Sequence, residues 1–296
     1  MRPSTQRAAA ERFRELHAAG CFLLPNPWDA GSARFLEHLG FEAVATTSAG
    51  FAFTRGLPDS PDAVPLEAML GHFREVVAAT ALPVNADFLN GYADAPDAVA
   101  ANVRACVGTG VAGLSVEDGT GDAAAPLYPF ELAVDRVRAA RAAIDSSGIP
   151  VVLTARCEAW LLPAEERTRT AANRLVAYAE AGADCLYAPG VADREGLATL
   201  VGAVAPRPLN ALVSRPTREL TLASLAALGV RRVSVGPALA LVAWGAFQRA
   251  ARAMKEDGTF DFAGPARYDE LDALFRRETS SVSEGPEGDG GSNIAS

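Results

Sequence analysis

The sequence predicts an α/β chain built as a single (β/α)8 barrel, and three observations carry that reading. Eight short apolar runs of strand length recur along the chain, with Ala-, Leu- and Arg-rich stretches of helical spacing between them. Several of those stretches close on a glycine just before the next run, where a left-handed C-cap belongs. No run is followed by the G-x-G-x-x-G turn of a nucleotide-binding open sheet, the nearest competing architecture.

In chain order, "MRPSTQRAAAERFRELHAAG" reads as an amphipathic helix, without the apolar centre or cleavage site of a signal peptide. The predicted strands are 21–28, 42–48, 82–88, 112–118, 150–156, 184–189, 208–214 and 231–236. The glycines that close the helices are Gly40, Gly110, Gly182 and Gly229. After the eighth strand, "PALALVAWGAFQRAARAMKEDG" and "GPARYDELDALFRRE" read as two further helices. One domain is expected over 1–278. Residues 279–296, rich in Ser, Gly and acid, read as a disordered tail.

The 296 residues are 49% hydrophobic, enough for a large core. The net charge of -9 and the absence of a basic stripe argue against nucleic acid and anionic membranes as partners. No apolar run is long enough to span a bilayer, so the expected location is the cytoplasm. Four cysteines without C-x-x-C spacing read as free thiols, with Cys185 in the core and Cys157 ambiguous.

In a barrel the strands' C-terminal ends carry the chemistry. Asn85 and Asp87 end the third strand, Glu117 and Asp118 the fourth, and Arg156, Cys157 and Glu158 the fifth. Two carboxylates with no histidine suit a hard cation, Mg2+ or Mn2+, rather than zinc. Arg156 beside them suits an anionic substrate, since a guanidinium grips a carboxylate with two hydrogen bonds. Each acid also has a plainer reading. Asp29 and Asp118 can be helix caps, Arg156 alone a structural ion pair, and Trp28 and Phe51 simple packing. His17, His38 and His72 all fall in predicted helices and are expected to be solvated. Absences prune the chemistry further. The only lysine, Lys255, lies in a late helix, which removes Schiff-base catalysis. No histidine is expected at the mouth for a Ser-His-Asp triad, and no phosphate-binding loop is present. Metal-assisted chemistry on a small oxyacid remains.

Taken together, "NPWDAGSARFLEHLGFEAVATTSAGFAFTRGLPD", "NADFLNGYAD", "GLSVED" and "LTARCEAW" resemble the isocitrate lyase/phosphoenolpyruvate mutase superfamily over about residues 20–245. The resemblance implies a barrel with a swapped last helix, a homodimer or homotetramer, Mg2+, and small keto- or enol-acid substrates whose enolate-like intermediates are stabilised. By position it implies Asp87 and Glu117 as metal-shell carboxylates and Asp59 as a loop aspartate near the metal. Arg156 would hold the substrate's acid group, Thr47, Ser48 and Ala49 the strand-2 turn that binds substrate, and Asn210 the pocket wall. Trp28 is a further candidate wall, and Asp59 or Glu158 a candidate proton carrier. Two departures stand out. Asn85 replaces the family's first aspartate of an Asp-x-Asp pair, leaving a carbonyl oxygen for the metal shell. The loop "EDGTGDAAAPLYPFE" lacks the lyases' cysteine and the mutases' lysine. The implied activity is a Mg2+-dependent lyase or decarboxylase of a small α-keto or 2-hydroxy di- or tricarboxylic acid. The alternatives are a phosphonate-processing enzyme and a weakly catalytic keto-acid binder.

Overall fold

A computed structural model describes residues 3–277, apart from 61, 192, 261 and 263. The tail expected at 279–296 lies outside the described residues. Contacts gather into two compact units, Met1–Gly245 and Ala246–Ser296.

The first unit alternates strands and helices. Its strands are β1 (Phe22–Leu24), β2 (Val44–Ala45), β3 (Val84–Asp87), β4 (Gly113–Glu117), β5 (Val152–Arg156), β6 (Cys185–Tyr187), β7 (Leu209–Leu212) and β8 (Arg232–Ser234). Each falls inside one of the eight runs. The helices are α1 (Pro3–Ala18), α2 (Ala30–His38), α3 (Ser48–Thr54), α4 (Leu66–Ala79), α5 (Pro96–Val107), α6 (Phe130–Ser146), α7 (Ala164–Glu180), α8 (Arg194–Val204), α9 (Leu222–Ala227) and α10 (Ala238–Arg252), which crosses into the second unit. That unit also carries α11 (Tyr268–Arg277). Gly40, Gly110, Gly182 and Gly229 have φ of 81°, 98°, 105° and 93°, the left-handed cap that a side chain would strain. Among the described residues no helix is long and apolar enough to cross a membrane.

All ladders are parallel, in the order β1-β8-β7-β6-β5-β4-β3-β2. The remaining seam, between β1 and β2, is closed by single bonds rather than a ladder. Ala45 N donates to Pro25 O at 3.0 Å. The Asn26 side chain does the rest. Its Oδ1 accepts from Val235 N (3.0 Å) and Gly236 N (2.9 Å), and its Nδ2 donates to Thr46 O (3.0 Å). One amide thus ties the chain just beyond β1, β2 and β8 where backbone pairing fails.

The strand period of two sorts the side chains. Val84, Ala86, Leu114, Val116, Leu153, Ala155, Leu209, Ala211 and Val233 face the helices and form the larger core. Their neighbours point inward. The lower interior is apolar: Phe22, Leu24, Ala45, Val152 and Cys185 pack on Phe13 and Leu16 of α1, which plugs the N-terminal end. The upper interior is polar, and the candidate site lies there. Gly113 is required in the plug, because a Cβ there would lie 2.6 Å from Phe13 Cε1 and 2.7 Å from Asn85 Oδ1.

Two histidines depart from the expectation of solvated side chains. His72 is buried and stacks on Phe51 with ring centroids 4.0 Å apart, and neither ring nitrogen has a hydrogen-bond partner. His17 packs edge-on against Phe13 and Phe22. Helical phase explains both. His17 follows Phe13 by four residues, and His72 shares a face with Met69, Phe73 and Val76.

Asn26→Ala removes three hydrogen bonds at the barrel seam and orphans buried backbone groups. It should lower stability by roughly 2–4 kcal/mol in urea titrations. Burial holds His72 down to about 4 and His17 down to about 3, the latter helped by Arg232. Both are therefore neutral when folded but take up a proton when unfolded below about pH 6.5. Their contribution is intact above that pH and is lost as pH falls toward 4. Urea midpoints at pH 7, 6 and 5 should show His72→Leu with a shallower acid slope, by about 1.4 kcal/mol per pH unit.

Candidate active site

Register places the site's side chains on one contour. Glu117 lies opposite Arg156, Arg156 opposite Tyr187, Tyr187 opposite Asn210, and Asn210 opposite Arg232. All five share the inward phase. With Asp87, Asn85 and Ser115 from β3 and β4, most of them line a cleft at the strands' C-terminal end.

Arg156 is the hub. Its guanidinium is ion-paired with Glu158, with Glu117 Oε2 at 3.2 Å and with Asp87 Oδ1 at 3.5 Å, and it lies 5.4 Å from the Tyr187 ring centroid. Burial would push its proton off, but Glu117, Glu158, Tyr187 and Asp87 outweigh burial and hold it firmly cationic. Glu117 is driven the other way. Burial raises its pKa well above the carboxylate range, Arg156 opposes this, and Glu158, Asp87 and Asp59 reinforce it. Its Oε2, though close to Arg156, makes no hydrogen bond. Glu158 is buried and gripped on both oxygens, by Arg156 Nε and Trp160 Nε1.

Asp87 is tied to the strand-2 turn. Its Oδ2 accepts from Ser48 N at 2.9 Å, and its own N–H donates to Thr46 Oγ1 at 2.9 Å. Asp59 stands on the exposed loop after α3 with its carboxyl turned toward Asp87 and the Ser48 hydroxyl. Partial burial and the Asp87 charge raise its pKa, and the Ser48 bond moderates this. Thr47 is the N-cap of α3, its hydroxyl accepting from Gly50 N at 3.3 Å. Thr46, not Thr47, therefore lines the cleft. Ala49 is buried in the first turn of α3, and Trp28 packs beside Gly50, where a Cβ would lie 2.8 Å from Trp28 Cβ. Neither Trp28 nor Ala49 lines the cleft. Asn210 does, with its Oδ1 accepting from Arg232 Nε at 2.8 Å and its Nδ2 donating to Ser234 Oγ at 2.9 Å.

Of the two carboxylates read as possible caps, Asp29 is one, accepting from Ser32 N at 2.7 Å. Asp118 is not. It is a buried strut whose Oδ2 takes Arg174 Nη1 (3.0 Å) and the Tyr178 hydroxyl (2.5 Å), and whose Oδ1 takes Glu158 N (2.7 Å). It thereby fixes the backbone that carries Glu158. Cys157 is fully buried beside it, and burial and Asp118 push its thiol up, so it is no ready nucleophile.

Sequence reasoning missed three residues here. Arg232 and Tyr187 line the cleft, and strand phase alone would place them there, because Ser234 and Cys185 point inward. Tyr92 sits in the turn after β3, where Leu89, Gly91 and Tyr92 have φ of 47°, 73° and 56°. Its buried hydroxyl has no partner, and burial together with Asp87, Asp59 and Glu117 raises its pKa. Non-glycine residues held left-handed store strain of a kind that clusters at functional sites.

The donor set fits a hard divalent cation. Asp87 and Glu117 supply carboxylate oxygens, and two buried oxygens, Glu117 Oε2 and Asn85 Oδ1, have no hydrogen-bond partner. Among the described residues no group of three or more His, Cys, Asp or Glu stands ready to encage an ion. A shell of few protein ligands completed by water is the manner of Mg2+ rather than Zn2+ or Ca2+.

The family profile described as phosphoenolpyruvate phosphomutase matches residues 13–255. An uncharacterised Mycobacterium tuberculosis protein is 33% identical over 88% of this chain and 95% of its own length. Oxaloacetate decarboxylase 1 of Pseudomonas putida is also 33% identical, over 76% of this chain and 78% of its own. A crystal structure from Burkholderia cenocepacia J2315, provisionally described as a lyase or mutase, superposes with a TM-score of 0.87. It shares 46% identity and covers 92% of this chain and 97% of its own.

Asp118→Ala should leave Arg174 buried without its carboxylate and free the Glu158 backbone. The expected loss is roughly 3–5 kcal/mol of stability in denaturant titrations, with Asp118→Asn losing less because it keeps the hydrogen bonds.

Proposed function

This chain belongs to the phosphoenolpyruvate phosphomutase family of the isocitrate lyase/phosphoenolpyruvate mutase superfamily, and on that premise we propose that it is a Mg2+-dependent lyase or decarboxylase. The substrate class is a small α-keto or 2-hydroxy di- or tricarboxylic acid. The observation that carries this reading is the meeting of Asp87, Glu117 and Arg156 from three consecutive strand ends, with one buried Glu117 oxygen left without a hydrogen bond.

Asp87 and Glu117 would hold the cation, with Asn85 a layer lower, its Oδ1 turned toward Gly113 and the Phe13 plug. Bound there, Mg2+ or Mn2+ supplies Lewis-acid polarisation of the substrate carbonyl and charge stabilisation of the enolate left by bond cleavage. Arg156 holds the carboxylates in place and offers its unspent N–H groups to the substrate. Of the two candidate proton carriers, Asp59 suits the role better. Its carboxyl faces Asp87 and the Ser48 hydroxyl, and partial burial and the Asp87 charge raise its pKa above the ordinary carboxylate value, while Glu158 is pinned on both oxygens and serves to position Arg156. Thr47 and Ala49 act through the α3 turn that aims Ser48, and Trp28 backs that turn. We also propose a homodimer or homotetramer. Leu241 and Val242 of α10 are 49% and 71% exposed, apolar surface that a second copy would cover.

Incubation with oxaloacetate, methylisocitrate, dimethylmalate and phosphonopyruvate, with and without Mg2+, tests the reading. Cleavage of a keto or hydroxy acid, abolished by chelator, is the expected result. Asp87→Asn and Glu117→Gln should each lower kcat/KM on the order of 10²–10³-fold. Turnover of phosphonopyruvate alone would instead make this a phosphonate enzyme, and keto-acid binding without turnover a binding protein.

A further inference from the structure

The floor of the same cleft holds a second arginine that the ion cluster does not use. Arg232 is 2% exposed and lines the cleft. Its partners are all neutral. Nε donates to Asn210 Oδ1 at 2.8 Å, Nη2 to Thr154 Oγ1 at 3.1 Å, and Nη1 lies 3.3 Å from His17 Nε2.

The His17 contact adds no negative charge. His17 Nδ1 lies 2.7 Å from Phe13 O, which can only accept, so Nδ1 carries the proton and Nε2 presents its lone pair to Arg232. Burial and the Arg232 charge hold His17 neutral, with its pKa down to about 3. Among the described residues no carboxylate pairs with Arg232, whereas Arg156 is paired with three.

A buried cation without a counter-ion is costly unless a ligand supplies one. Of its five N–H groups these contacts engage three, which leaves one on each terminal nitrogen, the fork geometry that grips a carboxylate. Asn210, Thr154 and His17 fix the fork from three sides. Strand register sets it three strands from Arg156 on one contour, with Tyr187 and Asn210 between.

We propose that Arg232 is a carboxylate subsite. It receives the second carboxylate of a dicarboxylic substrate and sets a preference for dicarboxylates over monocarboxylates. This rests on the keto-acid reading above, in which the cation at Asp87 and Glu117 engages the keto-acid end.

Pyruvate and ketomalonate test it, because they differ only in a methyl group against a carboxylate. By calorimetry with Mg2+, the wild type should bind ketomalonate at least about tenfold tighter than pyruvate. Arg232→Met should shrink that margin to under about twofold with pyruvate affinity little changed, and Arg232→Lys should keep part of it. A margin that survives Arg232→Met, or an equal loss of both ligands, overturns the subsite. If the methionine variant does not fold, a wild-type structure with ketomalonate decides. The second carboxylate is expected on the Arg232 terminal nitrogens, and its placement elsewhere overturns the proposal. Wild-type protein that binds neither keto acid refutes the keto-acid reading itself. Wild-type protein that binds both equally refutes only the subsite.

Discussion

The site depends on the Arg156 guanidinium and the three carboxylates around it. One buried cation facing three acids is electrostatically lopsided: either the acids take up protons or a further cation arrives. The raised pKa of Glu117 is the first response, and a metal between Asp87 and Glu117 would be the second. The neighbouring structure holds that lopsided state in place. Asp118 fixes the Glu158 backbone, Ser48 fixes Asp87, and the β4–β5 register sets Glu117 against Arg156.

The same geometry divides the barrel interior by height. α1 packs Phe13 and Leu16 against the apolar lower end of the barrel, beneath the site. Between that plug and the mouth lies a polar layer of Thr154, Asn210, Ser234 and Arg232, bonded side chain to side chain. Charges set in such an interior interact more strongly than at a surface. A small anion entering the cleft would meet an acid-rich, metal-seeking mouth and a cationic floor. In the proposed reading, that polarity would orient a two-ended substrate before any chemistry begins.

Much of this was legible in the sequence, because barrel strands and their caps leave local marks. The run 82–88 contains β3, and Gly110 closes the helix before β4 in the left-handed conformation. Asp87, Glu117 and Arg156 were legible because strand ends can be read along the chain and neighbouring strands converge. Arg232 was hidden in "RRVSVG", where two adjacent arginines look like solvated surface. Strand phase separates them: Arg231 reaches outward to Gly20 O, and Arg232 turns in. Helical phase, rather than side-chain polarity, decides where His17 and His72 pack. The Asp118 strut had no local mark at all, since Arg174 and Tyr178 join it from α7, 56 and 60 residues away. Asn26 shows a related limit. It lines the cleft, and nothing local marks the three bonds by which its amide also closes the barrel.

The central claim is that the two carboxylates at the ends of β3 and β4 hold a divalent cation beside Arg156. Anomalous diffraction from crystals soaked in Mn2+ addresses it most directly. The account predicts one strong peak within coordination distance of Asp87 and Glu117, with water completing the shell. A well-occupied peak elsewhere, or none there at saturating Mn2+, would contradict it.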